Sequence, residues 1–197
     1  MAELTRCCDD FPGRDELVDR LDAAVCRPDC EGKTSGVQET LTDMIRAGRL
    51  DLPADVKQPV PGAYARRLVY HSAEHGYVVV AMIWGPRQGT ALHDHDGVWC
   101  VEGVLEGEID VTRYEPLERD DETEAWRFGS HETVKAGVGT SGSLIPPFEY
   151  HTIANGDASA TAVTLHVYGR DLERAHIFEP VGDGWYRRVT KQLGYLH

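Results

Sequence analysis

Residues 93–107 read HDHDGVWCVEGVLEG, and the reading of this stretch decides the fold. His93 and His95 are alternate residues, and alternate residues of an extended strand point to one face. Both imidazoles can therefore reach one metal ion. Upstream lies the glycine-rich turn Gly85-Pro86-Arg87-Gln88-Gly89, and Gly107 closes the next strand within Glu106-Gly107-Glu108. A second segment, Pro146-Pro147-Phe148-Glu149-Tyr150-His151-Thr152-Ile153-Ala154-Asn155, supplies a third histidine, His151, after a proline turn. The chain between His95 and His151 is long enough to bring a facing strand alongside the first.

Outward from this stretch the pattern is one of strands. Residues 64–71 (YARRLVYH) and 76–84 (GYVVVAMIW) are β-branched or aromatic runs. Further strands are expected at 97–104, 106–114, 124–128, 131–135, 142–145, 150–154, 159–168 and 185–190. Gly, Pro or Asp separates many of them, which suggests a sandwich or barrel. Before Tyr64 the period changes. Leu17, Leu21, Ala24 and Val25 recur at helical spacing within 14–27. Val37, Leu41, Met44 and Ile45 do so within 34–48, with Thr34 or Ser35 as the expected cap and Gly48 as the stop. Pro53, Pro59 and Pro61 make 51–62 a connector. The expectation is one domain, 1–197, with a helical N-terminal extension (1–62) on a β-barrel (63–197).

Composition narrows the function classes. The chain has 197 residues, 41% of them hydrophobic, with 20 Gly and 10 Pro, as expected of a turn-rich β protein with a sizeable core. A net charge of −13 argues against nucleic-acid or anionic-membrane partners, which need a basic face. No apolar run approaches the length of a bilayer span, and MAELTRCCDDFPGRDEL has no signal-like apolar core. The five cysteines, Cys7, Cys8, Cys26, Cys30 and Cys100, read as reduced thiols of a cytoplasmic protein. The first four would make a poor zinc site, because a Cys-Cys dipeptide is poor ligand spacing.

The two histidine segments resemble the cupin family. Its first motif is H-x-H, three or four residues, Glu, six residues, Gly; its second is P-x-G-x-x-H-x-x-x-N. His93, His95 and Gly107 fit the first, and Pro146, His151 and Asn155 fit the second. Cys100 stands where most cupins place a glutamate ligand, Phe148 replaces the glycine of the second motif, and Arg87 replaces a glycine upstream. The resemblance implies a mainly β fold, a cupin (double-stranded β-helix, or jelly-roll) barrel with N-terminal helices. Glu102, two residues beyond Cys100 on the same strand face, is an open alternative for a fourth ligand.

Within the cupins the chain is similar to the thiol dioxygenases of cysteine dioxygenase type, from about Tyr64 onward. Tyr64-Ala65-Arg66-Arg67-Leu68 resembles the family's Y-x-R-x-L segment, whose arginine binds the substrate carboxylate. Trp84-Gly85 followed by His93-Asp94-His95 resembles W-G…H-D-H. Cys100 sits where some members carry a cysteine thioether-linked to a tyrosine. Thr164-Leu165-His166-Val167-Tyr168 resembles S-x-H-x-Y, and His176-Ile177-Phe178-Glu179 resembles H-x-F-D. Alternation puts Thr164, His166 and Tyr168 on one face, as a hydrogen-bonded relay needs.

The resemblance implies Fe(II) held by His93, His95 and His151, with a small thiol and O2 as partners. It implies substrate binding by Arg66 and Tyr64, and catalytic roles for Tyr168, His166, Thr164 and Cys100. Arg66 points to L-cysteine, since members with glutamine there prefer 3-mercaptopropionate; Trp99 or Glu102 could reshape the pocket for another thiol. Arg170 and Arg174 are reserve candidates for the carboxylate clamp. Two other readings stay open: a metal cupin of different chemistry with Glu102 as ligand, and a metabolite-binding cupin module.

Overall fold

The run Val78–Trp84 is apolar at every position, so as a strand it must be covered on both faces. In the computed structural model, which describes residues 10–130 and 132–196, all seven of these residues are buried. The helices are α1 (Arg14–Val25) and α2 (Cys30–Arg46). The strands are β1 (Ala65–His71), β2 (Val78–Trp84), β3 (Cys100–Glu106), β4 (Glu108–Arg119), β5 (Ala125–Ser130), β6 (Val134–Gly137), β7 (Ser141–Leu144), β8 (His151–Ala154), β9 (Ala162–Tyr168), β10 (Arg174–Gly182) and β11 (Trp185–Gln192). The described residues are thus mainly β, with antiparallel pairing throughout and two helices ahead of the barrel.

One sheet runs β1-β2-β9-β3-β7 and the other β10-β11-β5-β4-β6, with β8 also paired to β4. The first sheet separates two cores by simple alternation. Val79, Ala81, Ile83, Val101, Leu165 and Val167 face the helices, where they meet Leu17, Leu21, Leu41 and Met44. Val80, Met82, Cys100, Val104 and Tyr168 face the barrel interior, where Ile109, Ala136 and Ile153 of the second sheet join them. The connector is tied down by Arg67, whose Nη1 donates to the carbonyls of Val56 and Gln58 at 2.8 Å.

Several sequence expectations shift. Helix α2 starts four residues before Thr34, because the Asp29 carboxylate accepts from the Gly32 N–H at 2.7 Å and is the cap. Thr34 lies inside the helix and bonds back to the Cys30 and Glu31 carbonyls. Gly48 does end it, at φ +62°, with the Arg49 N–H returning to the Met44 carbonyl. Of the strand expected at 131–135, only 134–135 are strand, as the start of β6; 132–133 are irregular, and residue 131 lies outside the described residues. Strand β10 has no counterpart among the expected strands. Its sequence, RAHIFEPVG, carries no clean alternation, and its pairing with β11 makes it a strand. Of the cysteines, Cys26 and Cys30 are free and exposed, Cys100 is free and buried, and Cys7 and Cys8 lie outside the described residues. No helix among the described residues is long and apolar enough to cross a membrane.

Candidate metal centre

His93 and His95 lie on extended chain, but not within a regular strand as expected. His93 forms single bridges to His151 and to Ile177, trading N–H···O bonds of 3.2 and 3.3 Å with His151. The alternation survives this irregularity. Asp94 turns the other way and accepts from the His176 backbone N–H at 3.0 Å and from its Nδ1 at 2.9 Å. That bond pins β10 to the histidine segment. The three rings of His93, His95 and His151 then converge, with centroids 4.4, 5.0 and 5.2 Å apart. One nitrogen from each lies within 4.8 Å of the others.

The ring nitrogens are oriented by their outer partners. His93 Nδ1 meets the Ala91 carbonyl at 3.0 Å, and His151 Nδ1 meets the Glu149 carbonyl at 2.9 Å. A carbonyl only accepts, so both Nδ1 atoms carry protons and each ring turns its Nε2 inward. Burial, reinforced by the neighbouring His151, holds His93 down to about 3 and His95 well below its ordinary value. Both are neutral at pH 7, as ligands must be. The Nε2 atoms of His95 and His151 and Oε1 of Glu102 are buried without any hydrogen-bond partner. Orphaned buried acceptors are costly, and a cation among them satisfies all three at once. The residues therefore fit a transition metal with imidazole ligands.

Glu149, absent from the sequence expectations, is a buried neighbour of this cluster. Its Oε2 lies 3.7 Å from His95 Nδ1, and burial, with Asp94 nearby, raises it to about 7. The proline segment that delivers His151 gave no hint of it, since a carboxylate two residues before a histidine has many uses. Asn155 is structural: its amide donates to the carbonyls of Trp84, Gly85 and Ala160, fixing the turn behind β8.

Beside the histidines lies a cavity of about 110 Å³ whose lining includes Tyr64, Arg66, Met82, His93, His95 and Tyr168. Arg66 is buried, donates from Nη1 to the Gly194 carbonyl at 3.2 Å, and lies over the Tyr195 ring. Its Nη2 has no partner. Tyr64 packs on Trp84 with ring centroids 4.7 Å apart. The two arginines held in reserve for a clamp do not reach this cavity; Arg170 and Arg174 pair with Asp96 and are largely exposed. Trp99 does not reshape it either, because its indole packs against Gly169 and the helix-side core.

Strand β9 carries the relay. The Trp84 indole N–H donates to Thr164 Oγ1 at 2.9 Å, and Thr164 Oγ1 lies 2.7 Å from His166 Nε2. With Thr164 donating to Nε2, the remaining proton of His166 is on Nδ1, which lies 3.4 Å from the Tyr168 hydroxyl. Burial outweighs the opposing charge of Glu102 and holds His166 down to about 4, so this ring too is neutral. The indole of Trp84 is the member that sequence reasoning missed. Across the ladder Cys100 faces Tyr168, Glu102 faces His166 and Val104 faces Thr164. Cys100 Sγ lies 3.9 Å from His166 Nδ1.

An antiparallel barrel with three inward-facing histidines on two of its segments defines a metal cupin. The family described as cysteine dioxygenase type I matches residues 61–180, more than half of the chain, and the chain belongs to that family. Among solved structures, the chain is similar to a protein from Thermus thermophilus at 23% identity, covering 58% of this chain and 90% of that one, with a TM-score of 0.43. It is similar to a cupin superfamily protein from Desulfitobacterium hafniense at 12% identity (61% and 90% covered, TM-score 0.42). It is also similar to an oxalate oxidase at 16% identity (60% and 59% covered, TM-score 0.43). Likenesses this distant say nothing of chemistry.

Proposed function

We propose that the chain is an Fe(II)-dependent thiol dioxygenase that converts a small thiol carboxylate, L-cysteine first, to its sulfinate. The reaction balances as R–SH + O2 → R–SO2H. The observation that supports the reading is one cavity lined by Arg66, whose Nη2 has no partner, and by His93 and His95, two members of the three-histidine cluster. A bound iron would lower the pKa of the substrate thiol and supply the redox chemistry toward O2.

The chain's own residues do the rest. His93, His95 and His151 hold the metal as neutral ligands and so leave its charge uncancelled. Arg66 binds the carboxylate through its unpartnered Nη2. Tyr64, packed on Trp84, lines the cavity beside it. The Tyr168 hydroxyl faces the reacting atoms, oriented by His166, and Thr164 and Trp84 fix the tautomer of that histidine. Met82, Leu172 and Ile177 keep the cavity apolar between these polar groups. The alternative within this reading is 3-mercaptopropionate as the preferred thiol. The reading takes residues 1–197 as one domain working in the cytoplasm on a small thiol and O2, without nucleic acid or membrane.

The test is metal content together with O2 consumption over a panel of thiols, on wild type and His151→Ala. The expected result is iron in the wild type, O2 uptake matched by sulfinate, and loss of most iron and activity in the variant. Full iron occupancy in His151→Ala would overturn the assignment.

A further inference from the structure

The barrel holds a second cavity that this mechanism does not use. The substrate cavity is lined mainly from β1, β2, β9, β10 and β11, on the side where the two sheets end in β1 and β10. The second cavity, of about 330 Å³, is lined mainly from β3, β4, β6 and β7, on the side where the sheets end in β7 and β6. No residue lines both. The histidine cluster stands between them. His93 and His95 face the first cavity, and Glu102, whose Oε1 lies 3.1 Å from His151 Nε2, lines the second.

The depth and the mouth of this cavity differ in chemistry. Val104, Ile109, Ala136 and Leu144 are buried, and their aliphatic side chains offer a guest no hydrogen bond. Glu132, Val134 and Thr140 are exposed and mark the mouth. Apolar walls of this kind hold water poorly and take small apolar guests. The charges sort those guests further. Glu102 lies at the buried end and Glu132 at the mouth. Among the described residues that line the cavity, Arg113 is the one cation, and it is exposed and donates from Nη2 to the Ser143 carbonyl at 3.1 Å. An anion is therefore repelled at both ends. The substrate cavity has the opposite sign: Arg66 and Lys191 line it, and among its described lining there is no Asp or Glu.

We infer that this second cavity is the path by which O2 reaches the histidine cluster. The inference rests on the thiol dioxygenase reading above and deepens it. The two substrates differ in the property that the two cavities separate. A thiol carboxylate is anionic and is drawn to Arg66; O2 is neutral and apolar, and neither carboxylate turns it away. Once the thiol is held by Arg66, it occupies the approach from that side. O2 enters past Val134, collects among the aliphatic side chains and leaves the cavity beside Glu102 and His151. Separate entrances let O2 follow the thiol without displacing it.

The test uses xenon as the probe, since it enters dry apolar cavities and needs no turnover to be seen. Crystals of the wild-type protein under xenon pressure are expected to hold xenon among Val104, Ile109, Ala136 and Leu144. Ala136→Phe, which places a ring in the cavity, is expected to lose it. In solution at saturating cysteine, the same variant is expected to show KM for O2 raised several-fold, with KM for cysteine and kcat at saturating O2 unchanged. Val134→Trp covers the mouth from an exposed position and is expected to raise KM for O2 likewise; it carries the test if Ala136→Phe does not fold. A wild-type crystal without xenon in this cavity would overturn the inference. So would an unchanged KM for O2 in a variant that excludes xenon, or a parallel rise in KM for cysteine, and each leaves the dioxygenase reading standing. Wild-type protein that holds xenon but consumes no O2 with any thiol would overturn that reading, and this role of the cavity with it.

Discussion

Arg66 brings a permanent charge to the wall of the cavity with one of its terminal nitrogens unpartnered, and this makes it the residue most open to a direct test. If Nη2 pairs with a substrate carboxylate, Arg66→Ala should raise KM for cysteine strongly, since loss of a partly buried charge-assisted pair costs about 2–5 kcal/mol. Cysteamine, which lacks the carboxylate, should lose far less. Steady-state kinetics on both thiols decides, and equal losses would make Arg66 structural. Cys100 and Tyr168 raise a second residue-scale question. They are direct partners across the β3–β9 ladder, and burial raises both well above their ordinary values. Both therefore stay protonated, and a thioether between them can form only by oxidation. The thiol hydrogen and one ring hydrogen leave, an S–C bond forms, and two electrons and two protons pass to O2. After many turnovers the protein is expected to be lighter by two hydrogens, with one peptide pair joined at Cys100 and Tyr168. Cys100→Ala should keep its iron, lose the link and lose activity modestly. Unlinked peptides after extended turnover would exclude the bond.

Strand β3 delivers Cys100 and Glu102 to the interior, and the turn that follows it sets where it stops. Gly107 occupies that turn at φ +74°, and a Cβ there would meet the Ala162 Cα and the Thr161 carbonyl oxygen at 3.0 Å. Both the backbone conformation and the space demand glycine. Gly107→Ala is expected to destabilise the chain by about 1–3 kcal/mol, read as a lower urea midpoint; an unchanged midpoint would show that the turn relaxes freely. The elements differ in how well their residues announced them. Strands β2 and β9 were legible because they are covered on both faces and read as unbroken apolar or β-branched runs. Helix α2 was legible from its apolar stripe, yet its start was misplaced, because Thr34 and Asp29 are both good caps and only the geometry chose between them. Strand β10 was illegible, since its residues carry no clean alternation and its contact with the histidine segment comes from a distant part of the chain.

The whole molecule should couple its stability to its metal. The cluster brings His93 and His95 of one segment to His151 of another, and the unfolded chain has no such arrangement, so the metal binds the folded state preferentially. At a free metal concentration about 100 times Kd this stabilises the fold by about 2.7 kcal/mol. Chelation of wild-type protein should therefore lower Tm, and re-addition of Fe(II) or Co(II) should restore it, whereas His151→Ala should respond to neither. A wild-type Tm indifferent to chelator would mean that no metal bridges the segments.

The sequence by itself determined the fold class and the identity of the three histidines. Strand alternation is a local rule, and H-x-H and the proline–histidine segment obey it wherever they sit. It also determined the face shared by Thr164, His166 and Tyr168, for the same reason. Only the tertiary structure decided what surrounds them. That Trp84 donates to Thr164, that Arg66 and not Arg170 or Arg174 reaches the cavity, and that Glu102 lies against His151 are facts of ladder register and of how the two sheets close on each other. Register and closure are set by packing summed over the whole barrel, and no short stretch of residues contains that information.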